Sequence, residues 1–275
     1  MEGQLKNGTI LTSESGNKYT VVNLLGAGGQ GEVYDVECDG KHYALKWYFK
    51  GSATARQKKL LEEIIAKGAP DSSFLWPMEL IVPSRGNLFG YIMPLRPKNY
   101  KSIVDLMKNR VNPSFYVICR TALNLTKGYR NLHIAGAKYQ DISFGNLFFN
   151  PDNGDVLICD NDNVSYGNSK PGGVLGTPGF MAPEIVRGEA RPSRDTDRYS
   201  LAVLLFYLFM VNHPLEGKQE ASIKCMDMAA RVKLYGTDPI FIFDPGNKTN
   251  RPVPGIHDNA NIYWPLYPEQ LRQLF

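Results

Sequence analysis

Apolar and polar positions divide this chain into a strand-rich opening and a helix-rich remainder. Tyr19-Thr20-Val21-Val22-Asn23-Leu24-Leu25 reads as a strand that runs into Gly26-Ala27-Gly28-Gly29-Gln30-Gly31. Glu32 to Glu37 then alternates with period two, Asp39-Gly40 makes a turn, and His42-Tyr43-Ala44-Leu45-Lys46 resumes as a strand. Arg56 to Lys67 has helical spacing, with Leu61, Ile64 and Ile65 as its apolar stripe, and Gly68 to Pro70 ends it. Met78 to Val82 and Leu88 to Met93 read as two further strands, and Pro94-Leu95-Arg96-Pro97 breaks the pattern. Beyond it lie helical stretches at Ile103–Asn109 and Pro113–His133, and a very apolar helix opening at Asp197. Leu147-Phe148-Phe149 and Val156-Leu157-Ile158 flank the turn-rich Asn150 to Asp155 and predict a hairpin. From Thr237 to Asn261 the chain reads as a long Pro-, Asn- and Gly-rich loop, and Trp264 to Phe275 as the start of one more helix.

Composition narrows the class without naming a function. With 275 residues, 43% apolar and 21% charged, the chain has ample material for a core and is not disordered. A net charge of +4 neither demands nucleic acid nor forbids an anionic ligand. Cys38, Cys119, Cys159 and Cys225 are scattered, so neither a zinc site nor a disulfide framework is expected. The N-terminus lacks a signal-peptide pattern, and the longest apolar run, the eleven residues Leu201 to Val211, is too short to span a bilayer. The expectation is a cytoplasmic protein without membrane or nucleic-acid partners, its oligomeric state open.

The candidate chemistry lies in Tyr139-Gln140-Asp141-Ile142-Ser143-Phe144-Gly145-Asn146 and in Asp160-Asn161-Asp162. One carboxylate, Asp141, can take a proton from a hydroxyl. The amide oxygen of Asn146 and the carboxylate of Asp160 can hold a hard cation, and magnesium prefers oxygen ligands of this kind. Phosphoryl transfer needs such groups, because positioning and charge neutralisation supply most of its catalysis. Taken alone, the same residues also suit ordinary surface turns. The glycines shift the balance. A Gly-x-Gly-x-x-Gly also occurs in dinucleotide-binding folds, but there a helix must follow, and here a strand does. Glycines between antiparallel strands make a flap whose amides can approach phosphate oxygens, and Lys46 on the third strand can reach the same phosphates.

With these residues in order, the chain resembles a eukaryotic-type protein kinase. Gly26 to Val33 resembles the family's Gly-rich loop, and Ala44 to Lys46 its strand lysine. Gly176-Thr177-Pro178-Gly179-Phe180-Met181-Ala182-Pro183-Glu184 contains the Ala-Pro-Glu signature, and the Asp197 helix matches the buried central helix whose Asp anchors the catalytic loop. The resemblance implies an α+β, bilobal fold: an antiparallel-sheet N-lobe with one regulatory helix over residues 1–94, and a mainly helical C-lobe over 95–275. It implies ATP and Mg2+ as cofactors and a protein Ser or Thr hydroxyl as acceptor, since nothing resembles the tyrosine-specific loop. On this resemblance Asp141 is expected to orient and deprotonate that hydroxyl, Asn146 and Asp160 to bind metal, and Gly26, Ala27, Gly28, Gly29, Gln30 and Gly31 to cover the phosphates that Lys46 grips. By the same resemblance Met93 would be the gatekeeper, the backbone of Pro94 and Arg96 would meet the adenine edge, and Val33, Ala44 and Phe148 would sandwich the ring. Pro94 offers only its carbonyl. A helical Glu should brace Lys46. Glu62 and Glu63 both qualify, and Glu62 is preferred because Ala66 lies one turn on, where Glu63 has Lys67.

Several positions depart from the family. Tyr139-Gln140-Asp141 replaces His-Arg-Asp: Tyr139 can still pack as an aromatic spine member, but Gln140 cannot pair with a phosphorylated activation loop. Activity is therefore expected not to depend on phosphate at Thr177, Ser165 or Ser169, although Thr177 should touch the catalytic loop. Ser143 removes a cation, Asn161 replaces the apolar switch residue, and Asp162 adds a third carboxylate beside the metals. No Arg is found to bridge to Glu184, so this lobe is either trimmed or closed differently. The alternatives are a nucleotide-binding pseudokinase and a small-molecule kinase of the aminoglycoside or choline type. Asp-Ile-Ser-Phe-Gly-Asn with Asp-Asn-Asp also resembles divergent bacterial kinases, some of which work opposite a cognate phosphatase.

Overall fold

The computed structural model describes residues 3–83, 87–167 and 175–275. The chain forms two compact units, the first of Met1–Tyr100 with Leu157–Gly172, the second of Lys101–Val156 with Gly173–Phe275.

The first unit is an antiparallel sheet with one helix. Its strands are β1 (Ile10–Thr12), β2 (Lys18–Ala27), β3 (Gly31–Cys38), β4 (Lys41–Tyr48), β5 (Glu79–Ile81) and β6 (Gly90–Pro94), in the order β1-β2-β3-β4-β6-β5. Side chains alternate between the two faces of a strand, so Leu45 and Trp47 of β4 join Tyr34, Val36 and Ile92 in one cluster. Ala44 and Tyr48 pack on the other face with Leu80, Tyr91, Met93 and Leu61. Lys46 shares that second face and is only 6% exposed. Leu61 belongs to α1 (Ala55–Lys67), which Thr54 caps by accepting the Gln57 N–H at 3.1 Å and which stops at Gly68, φ +73°. Trp76 Nε1 donates to the Ile64 carbonyl at 3.0 Å, securing the buried edge of the helix.

The second unit is mainly helical. In chain order it holds β7 (Lys101–Ser102), α2 (Ile103–Met107), α3 (Phe115–Ile134), β8 (Ala137–Lys138), β9 (Leu147–Phe149) and the start of β10 (Val156–Ile158). The turn between β9 and β10 is closed by Asn150 N to Asp155 O at 2.8 Å, as a hairpin requires. Then follow α4 (Pro183–Val186), α5 (Arg194–Met210), α6 (Lys218–Ala221), α7 (Met228–Val232), a π-helical turn at Lys233–Thr237, α8 (Asp258–Leu266) and α9 (Glu269–Arg272). The final helical segment thus starts earlier than the expected Trp264, and a second short helix follows it.

No ion pair to Glu184 forms among the described residues. The lobe is closed instead by rings and by one amide. Phe206 on α5 packs against Phe241, Trp264 and Phe275, and Phe243 stacks on Trp264 with centroids 4.1 Å apart. Asn250, fully buried, donates to the Leu215 and Ile240 carbonyls and accepts the Gln219 N–H, which fixes the loop that the sequence leaves shapeless. Among the described residues no helix is long and apolar enough to cross a membrane.

Candidate active site

In the first unit the site grows from the pleat of β4. Period two places Ala44, Lys46 and Tyr48 on the α1-facing side, so Lys46 is carried into the interior on a rigid element. Its ammonium has three donors, and three acceptors meet it: Gln30 Oε1 at 3.1 Å, Asp160 Oδ1 at 2.5 Å and Asp162 Oδ2 at 2.7 Å. Burial works against the charge on Lys46, but Asp162 and then Asp160 outweigh it and hold the group protonated. Asp160 adopts the left-handed conformation (φ +57°, ψ +44°), which Asp tolerates better than most residues. Its carboxyl is pushed up to about 6, first by burial and then by Asp162, with Lys46 opposing.

Asn161 is fully buried, and its Nδ2 donates to the Leu75 and Ile158 carbonyls at 2.9 and 3.0 Å. The amide nitrogen of this polar side chain, in the position expected of an apolar switch, is thus satisfied by backbone acceptors, while its Oδ1 meets no donor among the described residues. Val33 and Ala44 lie on β3 and β4, Met93 is buried opposite Ala44 in the register, and Pro94 ends β6 with Arg96 just beyond. The Arg96 guanidinium donates to the Tyr100 carbonyl at 2.7 Å. In the glycine loop, a Cβ on Gly31 would sit 2.2 Å from the Trp47 carbonyl oxygen, so sheet packing explains that glycine. Among the described residues, a Cβ on Gly28 or Gly29 would meet nothing within 4 Å, so no packing contact there requires a glycine.

In the second unit the site is suspended from α5. Ser193 and Thr196 form a capping box at its start, and Asp197, 2% exposed, accepts the backbone N–H groups of Tyr139 and Gln140 at 2.7 and 2.9 Å. His133 Nε2 lies 2.9 Å from the same carboxylate. Gln140 is thereby held at φ +77°, unusual for a residue with a side chain. Tyr139 packs edge-on against Tyr129, centroids 5.3 Å apart, as expected for an aromatic in the histidine's place. Asp141 Oδ1 accepts the Thr177 hydroxyl at 2.6 Å. Asn146 Nδ2 donates to the Asp141 carbonyl at 2.9 Å, which leaves the amide oxygen as the end available to a cation. Phe148, on β9, also belongs to this unit. Of the anticipated phosphorylation positions, Ser165 is 2% exposed and Ser169 lies outside the described residues.

One expectation fails. Glu62 does not brace Lys46: its carboxylate is half exposed and stands 3.7 Å from Lys58 Nζ. Consecutive helical residues point about 100° apart, and the buried stripe runs through Leu61 and Ile64, so Glu62 is turned away. The polar residue on that stripe is Gln57, one turn before Leu61. Its Nε2 donates to the Asp162 carbonyl at 2.8 Å and to Tyr48 Oη at 3.2 Å. Gln57 and Tyr48 are the contributors missed in the sequence; the spacing 57, 61, 64 was the available signal.

An antiparallel sheet carrying a buried lysine, a Gly-rich loop, and a loop backbone hung from a helical Asp are features of a protein kinase domain. The chain belongs to the protein kinase domain family, whose model matches residues 19–254. It is 29% identical over 215 residues to the probable serine/threonine-protein kinase CCRP1 of Zea mays, covering 75% of this chain and 34% of that protein. It is 25% identical over 246 residues to human beta-adrenergic receptor kinase 1, covering 84% of this chain and 34% of that one. Rat protein kinase C delta type matches at 25% identity over 211 residues, 74% of this chain and 30% of that protein. The chain thus spans about a third of the length of these curated relatives.

Proposed function

We propose that this chain transfers the gamma-phosphoryl group of ATP to a serine or threonine hydroxyl of a protein. The observation that carries the reading is the hydroxyl already seated on Asp141: Thr177 Oγ1 donates to Oδ1 at 2.6 Å, on a loop whose backbone Asp197 holds. A carboxylate so placed can orient an acceptor hydroxyl and take its proton as the oxygen attacks phosphorus. Lys46 binds the phosphates, and Gly26, Ala27, Gly28, Gly29, Gln30 and Gly31 cover them with backbone amides. Val33, Ala44, Met93 and Phe148 form the adenine's apolar surroundings, and the backbone at Pro94 and Arg96 reads its edge.

The donor set suits magnesium, since Asn146 presents an amide oxygen and Asp160 a carboxylate that already attracts a cation, Lys46. Bound there, the metal would offset the charge of the phosphate oxygens. Activity does not require a phosphorylated activation segment, because Gln140 offers no guanidinium to receive one. A cytoplasmic setting belongs to the same proposal, as does a cognate phosphatase, the latter on the likeness of the catalytic motifs to those of divergent bacterial kinases.

Asp141→Ala tests it: labelling from radioactive ATP should vanish while nucleotide binding persists. Labelling by that variant at the wild-type rate would overturn the proposal. The second reading is a nucleotide-binding scaffold, favoured by one observation: Ser143, 5% exposed, stands where the family has a cation beside the transferred group. ATP binding without any labelling by the wild type would select it.

A further inference from the structure

We propose that Asp162 is the positioning residue for Lys46, and that Gln57 and Tyr48 hold Asp162 in place; the inference rests on the nucleotide-binding role of Lys46 in the reading above. Two carboxylates meet the ammonium, and their surroundings differ. Asp160 is 35% exposed at its side chain, whereas Asp162 is 0% exposed. A metal ion bound at Asp160 would compete with Lys46 for that carboxylate. Asp162 is the partner that Lys46 keeps.

The surroundings of Asp162 are built for this. Its Oδ2 accepts both Lys46 Nζ at 2.7 Å and the Tyr48 hydroxyl. Its backbone carbonyl accepts Gln57 Nε2 at 2.8 Å, and the same amide nitrogen reaches Tyr48 Oη at 3.2 Å. An amide nitrogen has two hydrogens, and here both are used. Lys46, Asp162, Tyr48 and Gln57 therefore form one connected network on a single face of β4, closed by α1. A glutamate at position 57 would accept only, and would set its charge against the Asp162 carbonyl oxygen. Glutamine is thus the complement of an acid that lies on the Asp-Asn-Asp turn rather than on the helix. The helix still senses the lysine site, but through a neutral amide.

The experiment compares binding of ATP and of adenosine, in the presence of magnesium, to the wild type and to Asp162→Asn, Tyr48→Phe and Glu62→Gln. Melting temperatures are recorded alongside. Adenosine has no phosphates, so a misplaced lysine spares it, whereas a damaged fold weakens both ligands. Asp162→Asn should weaken ATP binding about tenfold or more, the scale of one charge-assisted hydrogen bond, and leave adenosine affinity unchanged. Tyr48→Phe should act in the same direction to a smaller extent, and Glu62→Gln should bind both ligands like the wild type. Equal losses for ATP and adenosine in Asp162→Asn would overturn the proposal, as would unchanged ATP affinity in that variant or a selective ATP loss in Glu62→Gln. A wild type that shows this selective pattern but labels no protein would support the inference while sinking the phosphotransfer reading.

Discussion

Asp197 accepts the backbone N–H of Tyr139 at 2.7 Å across 58 residues of sequence, and so fixes the catalytic loop to the start of α5. The same carboxylate takes the Gln140 N–H and faces His133, so it sits buried with three donors around it. Removing it would strand two buried amides and leave Gln140 without the restraint on its left-handed backbone. Asp197→Ala should lower stability by about 3 kcal/mol and abolish labelling from ATP. Asp197→Asn keeps one acceptor and should fall between the two. Chemical denaturation with a parallel labelling assay checks both; a stable and active alanine variant would show that the loop holds itself.

Thr177 separates hydroxyl chemistry from phosphate dependence. Its Oγ1 donates to Asp141, so Thr177→Ser keeps the bond and should retain activity. Thr177→Val removes it and should lower the rate about tenfold. Thr177→Glu puts a second carboxylate against Asp141 and should be inactive. A phosphate-dependent kinase would respond the other way, with gain in the glutamate variant and loss on phosphatase treatment of the wild type. Rate measurements on the three variants and on the treated protein distinguish the two.

Asn161 provides a purely structural prediction. Its two bonds to the Leu75 and Ile158 carbonyls are fully buried, so Asn161→Ala should destabilise the protein by about 1–3 kcal/mol. Asn161→Asp, which turns a carboxylate toward carbonyl oxygens, should be worse. Thermal melts read the order Asn, Ala, Asp directly. An alanine variant as stable as the wild type would mean that water satisfies those carbonyls equally well.

Strands β2, β3 and β4 and helices α1, α3 and α5 were legible because each rests on local chemistry: period-two alternation in β3, an apolar stripe at helical spacing in α1, and long largely apolar stretches in α3 and α5. The partner of Lys46 was not legible. Choosing between Glu62 and Glu63 assumed that the acid comes from α1, whereas the face of a helix is set by what packs on it, and Leu61 with Ile64 points Gln57 inward instead. Asp162 lies 116 residues from Lys46, and nothing local marks which oxygen it would present. The closure of the last sixty residues was hidden for a similar reason. Rings as distant as Phe206 and Phe275 find each other by shape, and Asn250 takes its role from three backbone groups that only folding assembles.

His213 makes stability depend on pH. It is 2% exposed, its Nε2 lies 2.7 Å from the Gly179 carbonyl, and its Nδ1 accepts the Leu215 N–H at 3.0 Å. These partners select the neutral tautomer with hydrogen on Nε2, because a proton on Nδ1 would face the Leu215 hydrogen. Burial pushes its pKa below the ordinary histidine value, against the opposing charge of Glu216. The unfolded chain takes up this proton near pH ~6.5, the folded chain only at lower pH. The contribution of His213 is therefore complete above the unfolded value and is lost as pH falls through the folded one. Since Gly179 lies on the segment that carries Thr177, acid should loosen that segment along with the fold. Melting temperature measured from about pH 7.5 to about pH 5 should decline in the wild type. His213→Gln should be less stable at neutral pH but show a shallower decline; equal slopes in the two proteins would place the acid sensitivity elsewhere.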